Sequence, residues 1–239
     1  MKINKIGVID SGIGGLVPLK RIDDLCDKTE LIYLGDNVNV PYGDKSKREL
    51  VSLALKSIEY LSYFGVDVVV VGCNTLSTSV LWELKKYSPV PLLGVFPPIN
   101  LDTKKTLLLA TPKTVENCNY IKCVDKLALK FLAEEIERKA FNLNTVNLKE
   151  HLKSLGYKFG CYDRIILGCT HYELIKNKFS SHLCPPEIIS GCKFCIERLK
   201  NNFNLKIGDK NNKNSLKFIG NSAFYNQKVY YQVVKKIII

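Results

Sequence analysis

The sequence predicts an α/β protein made of two similar lobes, each with a mainly parallel sheet. Short β-branched runs alternate along the chain with segments whose apolar residues recur every three or four positions. A second observation is a seven-residue pattern carrying a Gly-Cys pair, which occurs once in each half of the chain. With 239 residues, 46% of them hydrophobic, the chain can form one large or two small domains.

The individual elements follow from these periodicities. Apolar runs rich in β-branched residues predict strands at residues 5–9, 31–34, 68–71, 92–95, 106–110, 165–167 and 216–219. Apolar residues spaced by three and four predict amphipathic helices at residues 48–64 and 126–138. Strands that alternate with helices in this way favour parallel sheets.

The internal repeat places two cysteines in equivalent positions. One copy reads Val-Val-Val-Gly-Cys-Asn-Thr and the other reads Ile-Ile-Leu-Gly-Cys-Thr-His, so that Cys73 and Cys169 each follow a strand and a glycine. The first strand of each half also ends in a small polar residue, at Asp10 and Thr111. Because ligands bind at the carboxyl ends of strands in open α/β sheets, two facing lobes would share one cleft.

Two stretches mark the borders of the lobes. Pro97 and Pro98 lie between the two halves, and the Lys- and Asn-rich stretch at 201–214 is typical of a surface connection. We therefore expect residues 1–96 together with residues 196–239 to form the first lobe. Residues 97–195 are expected to form the second.

Composition argues against several classes of protein. Nine cysteines, an odd number without compact spacing, do not match the disulfide framework of a small secreted domain. No apolar run approaches the roughly 20 residues of a membrane span, so we expect a cytoplasmic protein with reduced thiols. The net charge of +12 is compatible with attraction of nucleic acid or of small anions. Because the basic residues are dispersed and no nucleic-acid-binding motif accompanies them, a nucleic-acid partner is not expected.

A cysteine at the end of a strand is suited to act as a base. Where the next helix begins, backbone N–H groups and the positive end of the helix lower the pKa of a thiol from its free value of about 8.5. The alternative is that Cys73 and Cys169 are small buried hydrophobic residues. The repeated context of both cysteines favours the functional interpretation.

The first strand leads into a glycine-rich turn, Asp10-Ser11-Gly12-Ile13-Gly14-Gly15. Its glycines resemble a dinucleotide-binding fingerprint, but the spacing fits poorly and an acidic residue at the strand end would repel a phosphate. Asp10 is better suited to bind an amino group or to orient a neighbouring base. A simple N-cap role for Asp10 or Ser11 remains the alternative.

The second strand leads into a loop that contains Pro41-Tyr42-Gly43. Backbone N–H groups in such a turn can form a nest for an anion. This loop is therefore a candidate site for a carboxylate.

Four motifs, in their order and spacing, resemble the glutamate racemase family: Asp10-Ser11-Gly12-Ile13-Gly14-Gly15, Pro41-Tyr42-Gly43, Cys73-Asn74-Thr75 and Gly168-Cys169-Thr170-His171-Tyr172. The resemblance covers nearly the whole chain, including a strand at residues 187–190 and a helix after residue 220. It implies two lobes with pseudo-twofold symmetry, an active site in the cleft between them, and neither pyridoxal phosphate nor a metal.

The resemblance also implies roles for the motif residues. Cys73 would act on D-glutamate with support from Asp10, and Cys169 would act on L-glutamate with support from His171. The substrate contacts that it implies are Asp10, Ser11, Pro41, Tyr42, Gly43, Asn74, Thr75, Thr111, Thr114, Thr170 and His171. A pair of thiols suits this chemistry, because inversion without a cofactor needs one group to remove a proton and another to deliver one to the opposite face.

One region departs from the family pattern. The segment before the second cysteine motif lacks the usual Cys-Pro and Val-Pro-Leu-Val-Glu-like stretch, and the segment that follows is short. The acid that supports Cys169 would then be Glu134 or Glu135, and the sequence does not decide between them.

Three functions follow as hypotheses. The first is a glutamate racemase that needs no cofactor and supplies D-glutamate for peptidoglycan; a homodimer is left open. The second is a related racemase that acts on aspartate or another amino acid, and the third is a non-catalytic nucleic-acid-binding relative. The presence of both repeated cysteines argues against the non-catalytic relative.

A four-cysteine zinc site is a weaker alternative for Cys192-x-x-Cys195 with Cys118 and Cys123.

Overall fold

The computed structural model describes residues 2–99, 104–122, 124–153, 162–183, 187–208 and 214–236. Its strands are β1 (Lys2–Ile3), β2 (Lys5–Asp10), β3 (Glu30–Gly35), β4 (Val68–Val71), β5 (Leu92–Gly94), β6 (Thr106–Ala110), β7 (Asp125–Ala128), β8 (Arg164–Gly168), β9 (Glu187–Ser190), β10 (Asn204–Leu205) and β11 (Ser215–Ile219). Its helices are α1 (Leu16–Leu25), α2 (Lys47–Tyr63), α3 (Asn74–Ser79), α4 (Leu81–Tyr87), α5 (Pro112–Asn117), α6 (Leu132–Arg138), α7 (Leu148–Lys153), α8 (Thr170–Glu173), α9 (Lys176–Leu183), α10 (Gly191–Asn202) and α11 (Ala223–Gln232). Short 3-10 turns lie at Ile13–Gly15, Tyr42–Asp44, Leu143–Thr145 and Val234–Lys236. None of these helices is long and apolar enough to cross a membrane.

Two parallel sheets form the framework. Five strands lie in the order β11-β3-β2-β4-β5 and four in the order β7-β6-β8-β9. Every pairing within both sheets is parallel. Strands β1 and β10 form a separate parallel pair. The predicted α/β class with mainly parallel sheets is therefore confirmed.

All seven strands predicted from apolar runs are present, with ends within one residue of those expected. The strand at 187–190 and the helix after residue 220 are also present. The prediction works because β4, β6 and β8 are buried at every position. Strands covered by helices on both faces are apolar throughout, and this leaves a clear signal in the sequence.

The two predicted helices have different outcomes. The first is α2, which begins with a capping box between Ser46 and Glu49. The second prediction, residues 126–138, is wrong in its first part, because β7 pairs with β6 and α6 begins only at Leu132. Pairing at the sheet edge satisfies the backbone N–H and C=O groups of this segment and overrides its helical spacing.

A continuous apolar core joins the two sheets. It includes Ile6 and Val8 of β2 together with Leu107 of β6 and Ile165 of β8. Separate apolar clusters cover the other face of each sheet. The shared core packs the two sheets against each other and brings their carboxyl edges to the same side of the molecule.

The division into two lobes at the expected residues remains a prediction. Strands of the five-stranded sheet come from residues 1–96 and 196–239, and strands of the four-stranded sheet come from residues 97–195. The expected border between residues 195 and 196 lies inside α10, which packs against α1. We propose that this border instead precedes Gly191, because a helix is one hydrogen-bonded unit.

Candidate active site

Strand ends from both sheets meet at one cleft. Asp10 ends β2, Cys73 follows β4, Thr111 follows β6 and Cys169 follows β8. The walls of the cleft are formed by Ser11, Val40, Pro41, Tyr42, Gly43, Asp44, Cys73, Asn74, Thr75, Thr111, Pro112, Lys130, Ala133, Cys169, Thr170 and His171. They leave a cavity of about 20 Å³, which is room for roughly one water molecule.

The sequence-based set of site residues is almost entirely on these walls. The exceptions are Asp10, which lies behind Ser11 and Thr170, and Thr114, which lies behind Thr111. The walls also include residues that the sequence had not indicated: Val40, Asp44, Pro112, Lys130 and Ala133.

Cys73 lies between β4 and α3 and is buried. Burial raises the pKa of its thiol well above the usual value, and the nearby charge of Asp10 raises this pKa further. Backbone N–H groups of Leu76 and Thr75 act in the opposite direction but less strongly. The expectation that the strand-to-helix turn lowers the pKa of Cys73 is therefore wrong, because loss of hydration outweighs the N–H groups.

Asp10 is buried behind the glycine-rich turn. Its carboxylate accepts hydrogen bonds from the Ser11 hydroxyl at 3.0 Å and from the Thr170 hydroxyl at 3.1 Å. Burial raises the pKa of Asp10, while the positive charge of His171 and these two hydroxyl groups partly oppose the rise. A carboxylate whose pKa is raised in this way is a stronger base, which suits it to take up a proton from a neighbouring thiol.

Cys169 lies at the start of α8 and is paired with the histidine of the same motif. The distance between Cys169 Sγ and His171 Nδ1 is 4.0 Å, and His171 Nε2 lies 2.8 Å from a Glu137 carboxylate oxygen. Burial alone would lower the pKa of His171, but hydrogen bonds and charges of Cys169 and Glu137 raise it well above the usual value. The imidazole is therefore favoured as a cation beside the thiol.

Asp36 anchors the loop that contains Pro41, Tyr42 and Gly43. The Tyr42 hydroxyl donates to Asp36 at 2.7 Å, and Asn39 donates to both carboxylate oxygens of Asp36. Burial and the charge of Asp36 raise the pKa of Tyr42. This phenol therefore remains a neutral hydrogen-bond donor while its loop forms one wall of the cleft.

Three threonines connect the wall after β4 with the wall after β6. The hydroxyl groups of Thr75 and Thr111 lie 3.1 Å apart, and Thr111 donates to Thr114 at 3.0 Å. Nearby, the side-chain amide of Asn74 donates to the Val95 carbonyl at 3.0 Å. These bonds fix the rotamers of polar side chains that face the cleft.

The glycines of the first motif permit close contact with the second sheet. A Cβ added at Gly12 would lie 2.2 Å from Glu137 Oε2, and one added at Gly14 would lie 2.4 Å from His171 Nδ1. Neither position has room for a side chain. The turn is therefore glycine-rich because of close packing against His171 and Glu137, which is a different reason from the pyrophosphate approach of a dinucleotide fingerprint.

Comparison with known proteins identifies the family. No protein-family model matches the chain. A glutamate racemase from Campylobacter concisus (strain 13826) is 34% identical over 233 residues, which cover 90% of this chain and 88% of that protein. The chain belongs to the glutamate racemase family. A glutamate racemase from Aquifex pyrophilus is 35% identical over 207 residues, covering 77% of this chain and 78% of that protein. The crystal structure of glutamate racemase from Campylobacter jejuni subsp. jejuni superposes with a TM-score of 0.83 at 26% identity, covering 98% of this chain and 100% of that one.

The acid beside the second racemase motif differs from the one expected. Glu134 is exposed, and Glu135 binds Lys139 at 2.7 Å and His151 at 2.5 Å. The carboxylate that reaches His171 belongs to Glu137. Neither Glu134 nor Glu135 is therefore the acid in this position.

The rotation of α6 explains this difference. Its buried residues are Leu132, Ala133, Ile136 and Glu137, a pattern of neighbouring positions one helical turn apart. Glu137 lies four residues after Ala133, a wall residue of the cleft. A helical projection of this short segment is the signal that could have selected Glu137 from the sequence.

The zinc alternative concerns four cysteines, of which Cys118, Cys192 and Cys195 lie among the described residues. Among them, no group of three or more His, Cys, Asp or Glu side chains is arranged to hold a metal ion. Cys192 and Cys195 are buried in α10, and burial together with the charge of Glu173 raises the pKa of the Cys192 thiol well above its usual value. Cys123, the fourth candidate ligand, lies outside the described residues.

Proposed function

We propose that the protein interconverts L-glutamate and D-glutamate without a cofactor, with Cys73 and Cys169 as the two proton-transfer groups. The observation that carries this proposal is that two buried cysteines line one cleft and are backed by different groups, Asp10 for one and His171 for the other. A single base could remove the α-proton but could not deliver a proton to the opposite face. Two thiols on one cleft satisfy both requirements.

The two cysteines exchange roles with the direction of the reaction. From D- to L-glutamate, the Cys73 thiolate takes the α-proton and the Cys169 thiol gives its proton to the opposite face. In the reverse direction, the Cys169 thiolate takes the proton and the Cys73 thiol gives one. Asp10 accepts the proton that Cys73 must lose before it can act as a base, and the imidazolium of His171 stabilises the Cys169 thiolate.

The polar walls hold the substrate during this exchange. A carbanion-like transition state needs donors around its carboxylate. We assign this part to the side chains of Ser11, Asn74, Thr75 and Thr170, and to the loop that contains Pro41, Tyr42 and Gly43. Thr111 contributes from the wall, and Thr114 supports Thr111 from behind.

Substrate entry requires the walls to separate. A cavity of about 20 Å³ holds roughly one water molecule and is too small for glutamate. The described conformation is therefore a substrate-free form, and its walls must lie farther apart when glutamate is bound. Closure of the walls around bound glutamate would exclude water and strengthen the electrostatic interactions that act on the reacting carbon.

Location, partners and oligomeric state complete the proposed function. We assign the protein to the cytoplasm, where D-glutamate is supplied for peptidoglycan, and we assign it no nucleic-acid partner. A homodimer is the oligomeric state to be tested, by light scattering of the purified protein.

A circular dichroism assay with purified protein tests the reaction. L- and D-glutamate should each lose optical activity until the racemic mixture is reached. A panel with both enantiomers of aspartate and alanine separates glutamate racemisation from the related activity on another amino acid. Absence of activity on glutamate, together with salt-dependent binding of DNA, would favour the non-catalytic alternative.

Racemisation in D2O tests the use of two thiols. Deuterium should appear in the product enantiomer during its first formation, because the delivered proton comes from the other, solvent-exchanged thiol. The recovered starting enantiomer should remain largely protiated at early times. Deuterium entering unreacted substrate, together with an active Cys169→Ala variant, would refute the two-thiol reaction.

A further inference from the structure

Asn37 connects the first sheet with the acid that serves His171. It follows β3 in the segment that leads to the Pro41-Tyr42-Gly43 loop, and its side chain is half-buried. The Asn37 side-chain amide donates a hydrogen bond to Glu137 Oε1. Glu137 lies in α6, so this bond joins elements that belong to different sheets.

The Glu137 carboxylate is held by donors on both oxygens. Oε2 accepts the backbone N–H of Ile13 at 2.8 Å and lies 2.8 Å from His171 Nε2. Among the described residues, Asn37 is the donor to the other oxygen, Oε1. Without this donor, Oε1 would lose its bond and the carboxylate could turn away from the imidazole about its side-chain torsions.

The orientation of the Asn37 amide is set by the carboxylate. Its Oδ1 is buried and has no hydrogen-bond partner among the described residues. Turning the amide around would give Oδ1 no better partner and would place oxygen against oxygen at Glu137. An amide that leaves its own oxygen unpaired in order to donate to a carboxylate is a feature that calls for a functional explanation.

We propose that Asn37 is a positioning residue that holds the Glu137 carboxylate on His171 and so prepares the Cys169 side of the cleft for proton transfer. This inference rests on the proposed racemase reaction. It assigns Asn37 no contact with the substrate, since Asn37 is not part of the cleft wall.

The charged groups around His171 are few, and they come from the elements packed against α8. Glu137 is the buried acid of α6, Cys169 precedes α8, and Asp10 ends β2 close enough for His171 to affect its pKa. Helix α1 contributes Arg21, which pairs with Glu173 of α8 at 3.3 Å. The 3-10 turn at Ile13–Gly15 and the carboxyl end of β8 contribute only glycine and apolar residues. Displacement of the Glu137 carboxylate would therefore directly lower the pKa of His171.

The variant Asn37→Leu removes the donor while keeping a branched side chain of similar shape. The matched control is Asn39→Leu, because Asn39 lies in the same segment but donates to Asp36 instead of Glu137. Asn37→Gln restores an amide with a longer reach. Far-ultraviolet circular dichroism and urea unfolding establish that each variant folds.

Primary deuterium isotope effects provide the kinetic readout. Because the two enantiomers have equal free energy, kcat/KM must fall by the same factor in both directions, and we expect roughly 10- to 100-fold for loss of one hydrogen bond to a charged group. In Asn37→Leu, the isotope effect on kcat/KM should rise for L-glutamate deuterated at the α-carbon, because the Cys169 step becomes limiting. The isotope effect for deuterated D-glutamate should fall. Asn39→Leu should leave the ratio of the two effects unchanged, and Asn37→Gln should return it toward the original value.

A nitrogen-15 titration of the imidazoles provides a readout that does not depend on activity. The chain has three histidines, so three imidazole spin systems are expected after labelling. The pKa of His171 should be lower in Asn37→Leu than in the parent and unchanged in Asn39→Leu. An unmoved His171 titration with an unchanged ratio of isotope effects would overturn the role of Asn37. A parent protein that does not racemise glutamate would instead refute the proposed function, while the titration would still test the contact.

Discussion

The substitution Glu137→Gln tests the acid that the structure places beside His171. Glutamine keeps the shape of the side chain but replaces one carboxylate oxygen by an NH2 group. All three neighbours of the carboxylate, the Ile13 N–H, the His171 ring and the Asn37 amide, approach it as donors. The new NH2 group therefore has no acceptor in this arrangement, and at least one buried donor loses its partner.

The magnitude follows from the burial of the pair. The side chains of His171 and Glu137 are 3% and 9% exposed. Removing one partner of such a pair costs about 3–5 kcal/mol when the remaining group stays charged. We expect the free energy of unfolding to fall by about 3 kcal/mol at about pH 6. This is the lower end of the range, because the imidazole of the variant can release its proton. Turnover should fall about 10²- to 10⁴-fold, the range for loss of acid–base catalysis.

The dependence on pH has a definite sign. The pKa of His171 in the folded protein lies well above the ordinary value of 6.5. Protonated His171 therefore stabilises the fold fully below pH 6.5, and this contribution is lost as the pH rises through the folded pKa. Because Glu137 is one of the causes of the raised pKa, the difference in stability between parent and variant should be larger at about pH 6 than at about pH 9.

Urea unfolding at the two pH values and the circular dichroism assay measure both effects. The control is Glu134→Gln, an exposed position on the same helix, for which neither stability nor turnover should change appreciably. Turnover of Glu137→Gln within about threefold of the parent would refute the catalytic part of the reasoning. A difference in unfolding free energy that does not vary with pH would refute the electrostatic part.

Four further predictions concern the same cleft. Cys73→Ala and Cys169→Ala should each reduce racemisation by at least about 10²-fold in both directions; a variant of either cysteine that keeps kcat/KM near that of the parent would contradict the use of two thiols. Asp10→Asn should lower kcat far more than it raises KM, as steady-state kinetics would reveal. Burial raises the pKa of Asp10 above its unfolded value of 3.8, so ionisation of this carboxyl destabilises the folded protein as the pH rises above 3.8. The variant lacks this charge and should unfold at an equal or higher urea concentration at neutral pH. Gly14→Ala should reduce turnover, because the added Cβ would lie 2.4 Å from His171 Nδ1; an active variant with an unmoved imidazole spectrum would show that the turn can adjust. Activity should survive dialysis against EDTA. A loss of activity that added zinc restores would contradict a reaction that uses protein groups alone.

The fold could be predicted where burial leaves a periodic signal. The all-buried strands β4, β6 and β8 are apolar at nearly every position. Strand β7 has no such signal, because it lies at the edge of its sheet and its residues are exposed or half-buried. Its sequence, Asp-Lys-Leu-Ala, continues the spacing of the helix that follows. A short edge strand of this kind is defined by its partner, and the partner is distant in the sequence.

The candidate site could be predicted in its motifs but not in its electrostatics. The cysteines and their polar neighbours could be predicted because they lie in sequence motifs at the ends of apolar strands, and the structure brings these strand ends to one cleft. The pKa of Cys73 could not be obtained in this way, since burial, which depends on the closed lobes, outweighs the local N–H groups. The choice among the acids of α6 also depends on packing, because the rotation of a short helix is fixed by the surface on which it lies.

The bonds that complete the site are the bonds that hold the cleft closed. Thr170 follows β8 and donates to Asp10 of β2, while Glu137 of α6 accepts the Ile13 N–H and the Asn37 amide. Each of these bonds joins elements of the two different sheets. Because a cavity of about 20 Å³ is too small for glutamate, we propose that the walls separate in every cycle and that their separation strains or breaks these same bonds. We propose that the walls return toward this arrangement once glutamate is bound between them, so that the acids behind both thiols are placed for proton transfer in a water-poor cleft.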